Sequence, residues 1–150
     1  MKHAFLALFL FGGIAVAADD ASKKKLMELE GAYSVVSFEK QGEMIPGEIL
    51  KTFQKVTIKG NKFTISFKEE GKLEEKTATI KVDASKKTVA IDLTADDGPK
   101  KDETALGIVE IGDDTVKLCW GIGANAKRPT DATSTKENRN FLITLKRIKE

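Results

Sequence analysis

The stretch Phe53-Gln54-Lys55-Val56-Thr57-Ile58-Lys59-Gly60-Asn61-Lys62-Phe63-Thr64-Ile65-Ser66-Phe67-Lys68 decides the architecture. Val56 and Ile58 alternate with Lys55, Thr57 and Lys59, and Phe63, Ile65 and Phe67 alternate with Thr64, Ser66 and Lys68. A strand turns successive side chains to opposite faces, so a period of two gives one row to a core and one to solvent. Gly60-Asn61 is the two-residue signal that joins such strands into a hairpin.

The same period extends outward in both directions. Upstream, Tyr33 to Glu39 reads as a strand closed by a Gln41-Gly42 turn, and a loop through Pro46-Gly47 follows. Downstream, strands are expected over Lys72–Val82, Thr88–Thr94, Thr104–Ile111, Thr115–Trp120 and Phe141–Arg147. Val89, Ile91 and Leu93 share one face of their strand, and Val116, Leu118 and Trp120 share one face of theirs. In the sixth strand Leu106, Ile108, Val109 and Ile111 occupy both faces, so its orientation is open. Ser22 to Glu30 carries Leu26 and Leu29 among charges, which predicts a short helix ended by Gly31.

All connections except Gly121–Asn138 are short, and strands joined by short turns lie side by side and antiparallel. The expectation is an all-β domain: an eight-stranded antiparallel up-and-down barrel with a short N-terminal helix. Closure into a barrel removes exposed edges. A two-sheet sandwich has the same strand count.

Residues 1–18 read differently. Met1-Lys2-His3 precedes the apolar run Ala4 to Ala18, Ala15-Val16-Ala17 is a small-residue cleavage site, and Asp19-Asp20 follow. This is the pattern of a secretory signal peptide, and the apolar run is shorter than the roughly 20 residues that span a bilayer. The expected product is an exported protein, periplasmic or extracellular, with a single domain over residues 19–150 and no membrane insertion after the signal is removed.

Composition excludes several chemistries. The whole chain carries 25 basic and 23 acidic side chains, interspersed, so it has no electrostatic footprint for nucleic acid. The only histidine is His3, inside the expected signal, which leaves the mature domain without the base of a Ser-His-Asp or Cys-His mechanism. Cys119 is the only cysteine, so no internal disulfide forms and no cysteine cluster holds a metal. The carboxylate pairs Glu69-Glu70, Glu74-Glu75, Asp96-Asp97 and Asp113-Asp114 fall at or beside turns, where solvation opposes pKa tuning and where Asp is a natural turn former. No enzyme, metal or cofactor is expected.

The last strand puts Phe141, Ile143, Leu145 and Arg147 on one face, so a cation continues an apolar row. Either the strand ends first and Arg147 is in solvent, or Arg147 crosses the closed end of the barrel and stacks on the ring of Tyr33. Gly31-Ala32-Tyr33, at the junction of helix and first strand, resembles the Gly-x-Trp motif that opens lipocalin and calycin barrels, with Tyr in place of Trp. Arg147 stands where those barrels carry an Arg that packs over the Trp.

The chain also resembles a family of uncharacterised secreted lipocalin-like domains common in planctomycete bacteria. The residues that carry the likeness are Leu29 to Ser37, Ile58 to Phe63, Ala90 to Thr94, Gly107 to Ile111, Asp113 to Cys119 and Arg128-Pro129-Thr130. The resemblance implies a lipocalin-like barrel and brings no activity.

Such a barrel either fills with side chains or keeps room for one small ligand. The first functional expectation is a small apolar ligand against Phe63, Ile65, Phe67, Ile91, Leu118, Trp120 and Ile143, with space left by Ala90 or Gly107. The second is a protein-interaction or envelope structural module that uses the 121–138 loop and its Arg128-Pro129-Thr130 piece. Tyr33 and Arg147 are expected to be structural in both.

Overall fold

Local alternation makes the strands, and two-residue turns make neighbours of them. The computed structural model describes residues 20–121 and 125–149; the signal peptide expected over residues 1–18 lies outside the described residues. Helix α1 (20–29) is followed by β1 (Gly31–Lys40), β2 (Glu43–Met44), the single turn α2 (Gly47–Leu50), β3 (Phe53–Lys59), β4 (Lys62–Glu69) and β5 (Lys72–Asp83). β6 (Val89–Ala95), β7 (Thr104–Ile111), β8 (Thr115–Trp120) and β9 (Phe141–Arg147) complete the order.

From β3 on, each strand pairs antiparallel with the next. β1 pairs with β3 through Gly31 to Tyr33 and with β9 along its length, from Tyr33 opposite Arg147 to Lys40 opposite Phe141. That last pairing closes eight strands into an up-and-down barrel and excludes the sandwich. The strand beyond the expected eight, β2, is a two-residue annex on the end of β1. It exists because Gln41 and Gly42 both take positive φ, 53° and 82°, as the two central residues of a mirror-image hairpin turn do. Among the described residues no helix is long and apolar enough to cross a membrane.

The register assigns the faces. Tyr33, Val56, Ile58, Ile80, Ile91, Val109, Val116, Leu118, Ile143 and Leu145 point inward, join Leu29 of α1, and form one buried cluster. The sixth expected strand, β7, resolves as Gly107 and Val109 inward, opposite Trp120 and Leu118, with Leu106 and Ile108 on the other face. The Gly107 position is needed for close approach and leaves no void. A Cβ there would sit 2.6 Å from the Cys119 carbonyl oxygen and 3.2 Å from the Trp120 Cβ.

One end of the barrel is closed by α1 and Arg147. The guanidinium carbon of Arg147 lies 4.9 Å from the centroid of the Tyr33 ring. Its Nη1 donates to the Glu30 carbonyl at 2.6 Å and its Nη2 to the Glu28 carbonyl at 2.7 Å. Those carbonyls belong to the C-terminal end of α1, where the backbone has unpaired acceptors and a partial negative charge, so a cation is the fitting cap. The Tyr33 hydroxyl donates to Leu29 O at 2.5 Å and completes the closure. Gly31, with φ +149°, passes under the arginine: a Cβ there would lie 2.6 Å from Arg147 Nη1.

Candidate functional site

The other end of the barrel is its mouth, where aromatic rings cluster. Phe38 stacks on Phe141 with centroids 5.6 Å apart and on Trp120 at 6.1 Å; Trp120 and Phe141 are 5.4 Å apart. Phe53 meets Phe38 edge-on at 6.2 Å. These four rings are only partly buried. They come from β8, β9, β1 and β3, which are adjacent around the barrel.

The facing side is built differently. Ala78 pairs with Ala95, and Ala105 pairs with the inward Leu93, so β5, β6 and β7 put three alanines on the inward face. Two cations border the aromatic rings: Lys40 Nζ is 5.7 Å from the Phe141 centroid and Lys76 Nζ is 5.5 Å from that of Phe67. The mouth therefore has stacked rings on one wall, short side chains on the other and ammonium groups at the rim. It offers flat apolar contact area with two ammonium groups beside it.

The sequence-predicted ligand residues divide by depth. Ile91, Leu118 and Ile143 are buried in the central cluster, between 0% and 4% exposed. Phe63, Ile65, Phe67 and Trp120 are half-buried and pack on that cluster or above it. Of the residues expected to leave space, Ala90 faces outward, on the side opposite Ile91.

Phe38 and Phe53 were not among the expected ligand residues. Strict alternation from Tyr33 and Val35 turns Phe38 to solvent, but β1 carries a bulge between Val35 and Ser37, and β3 one between Phe53 and Lys55. Each bulge inserts one residue and reverses the faces beyond it. Val36, 49% exposed, stands on the outside instead. The signal for this was a phenylalanine at the wrong parity.

Outside the barrel, the loop after β8 lies flat against the wall. Arg128 reaches Asp92 of β6 (Nη2 to Oδ1, 2.8 Å) and donates through Nη1 to Gly107 O of β7 at 2.7 Å. Pro129 is buried, and Ala132 packs on the outward cluster of Ile108, Cys119 and Leu142. Ser134 Oγ donates to Asn140 O at 2.8 Å, and Asn140 Nδ2 donates to Thr133 O at 3.2 Å. The loop is thus a strap held by specific partners, and its Arg128-Pro129 piece turns toward the barrel.

Cys119 takes the outward parity expected for it, yet the strap covers it completely. Burial pushes the Cys119 thiol up to about 11, and its Sγ lies 3.5 Å from Thr133 O. A thiol in that state is not a nucleophile at neutral pH. Of the turn carboxylates, Asp96 is engaged locally: hydrogen bonds from Lys62, at 2.6 Å, and from Thr79, at 2.7 Å, hold it below the usual carboxylate range. Among the described residues no three His, Cys, Asp or Glu side chains converge as a metal site. Comparison of the chain with protein families, with curated proteins and with solved structures finds no match in any of the three.

Proposed function

We propose that this protein is an exported, non-enzymatic binding module that takes a small apolar ligand into the mouth of its barrel. The observation that carries the reading is the partly exposed Phe38–Trp120–Phe141 stack facing Ala78, Ala95 and Ala105. Aromatic area left half in water at the end of a barrel is the kind of surface that a ligand completes. Phe67 and Trp120 would make the first contacts, Phe63 and Ile65 the wall, and Ile91, Leu118 and Ile143 the floor. Export rests on the signal-like residues 1–18, and the resemblance to secreted lipocalin-like domains supports the same reading.

Trp120 is the only tryptophan, which makes the test direct. Titration of the purified exported protein with the neutral fluorophore phenylnaphthylamine should give saturable binding and energy transfer from Trp120. Phe141→Ala should weaken that binding by roughly tenfold, the loss of a buried aromatic contact of about 1.4 kcal/mol. Absence of saturable binding, or full affinity in the Phe141→Ala protein, would overturn the proposal.

A further inference from the structure

Where the strap crosses β6 and β7 it builds a groove on the outer wall, separate from the mouth. The groove measures about 590 Å³. Its floor includes Ala90, Ile108 and Pro129, and its flank carries Lys81, Lys86 and Lys87 from β5 and the β5–β6 turn.

The charge inventory of the groove is one-sided. Of its two carboxylates, Asp92 is 2.8 Å from the Arg128 guanidinium. The Ser85 side chain and then its backbone N–H, which donates to Asp83 at 2.9 Å, hold the Asp83 carboxyl below the usual range, with Lys86 and Arg128 adding to the effect. Lys81, Lys86 and Lys87 make no ion pair among the described residues. Three ammonium groups thus stand beside an apolar floor whose own acids are already engaged.

We infer that this groove binds a small amphipathic organic anion, its carboxylate, sulfonate or phosphate head on the Lys81/Lys86/Lys87 flank and its apolar body over Ala90, Ile108 and Pro129. The size suits one small molecule, since ligand pockets run from about 300 to about 1,000 Å³. The unpaired lysines supply the complementary charge and Arg128 holds the wall on which the body rests. The site is independent of the mouth, because outward Ala90 and inward Ile91 stand on opposite faces of one strand.

The test compares two fluorophores of one skeleton. Anilinonaphthalene sulfonate carries an anionic head and phenylnaphthylamine lacks it. The intact protein should bind the sulfonate saturably, with affinity falling as salt rises. The K81Q/K86Q/K87Q protein should bind the sulfonate roughly tenfold more weakly and bind phenylnaphthylamine unchanged, its circular dichroism confirming the fold. Ala90→Glu, which puts a carboxylate on the floor, should abolish the sulfonate signal alone. Two results would overturn the inference: no saturable sulfonate binding, or sulfonate binding that survives the triple change and disappears with Phe141→Ala.

Discussion

At the scale of single residues, the chemistry of the barrel wall concentrates in Cys119. Parity places it outside and the strap places it out of water, so its thiol titrates at about 11 in place of the ordinary 9.0. Burial also raises the Tyr33 hydroxyl, against the opposing pull of Arg147. A raised pKa in the folded state has a definite sign. Below the unfolded value both states keep the proton and the contribution is intact. Above it the unfolded chain ionises first, and stability falls by about 1.4 kcal/mol per pH unit until the folded thiol titrates. Urea unfolding should therefore show the native protein losing about 1 kcal/mol more than Cys119→Ala between about pH 8 and about pH 10. Arg147 and Gly31 are the complementary case. The motif residues were readable, but the two helix carbonyls that the guanidinium caps were not, because those partners are backbone atoms of a helix end more than a hundred residues away.

At the scale of elements, the strap after β8 is the part least visible in the sequence. It has no period, and its composition resembles any polar loop. Its role follows from three contacts to other elements: Arg128 to Asp92, Arg128 to Gly107 O, and Ala132 to the Ile108–Cys119–Leu142 patch. Removing the guanidinium leaves Asp92 and Gly107 O without that partner while the barrel ladder stays whole. The ion pair is partly exposed, so its share is small and the carbonyl contact adds to it. Arg128→Met should lower the cost of opening the strap by about 1 kcal/mol, which speeds tryptic cleavage after Lys127 and Lys136 roughly fivefold. Cleavage within β1 to β8 should not change. The bulges in β1 and β3 belong to the same scale. They bring Phe38 and Phe53 to the mouth, and a two-residue period read along the chain has no means of registering an inserted residue.

At the scale of the whole molecule, the pairing of β1 with β9 is the closure on which everything else depends. Consecutive strands meet through short turns, but this contact joins residues 33 and 147 and covers the last two edges of the sheet. No disulfide can substitute for it, because the chain has a single cysteine. A protein ending at Asn140 should expose the edges of β1 and β8, lose the near-ultraviolet dichroism of Trp120, and elute as oligomers on size exclusion. The intact chain should instead unfold in one cooperative step, as small single domains do.

What the sequence determined by itself is the local physics. Alternation set the strands to within a residue or two, turn residues set their adjacency, and both together implied an antiparallel all-β barrel. It also placed Phe63, Ile65, Phe67, Ile91, Leu118, Trp120 and Ile143 on inward faces, because facing is a property of neighbours in the chain. Depth is not. Which of those residues form the sealed floor and which reach the mouth depends on strand tilt and on where α1 and Arg147 close the barrel. The outer groove depends on a strap folding back across strands more than twenty residues distant. Those are relations between separated segments, and only tertiary packing brings their atoms together.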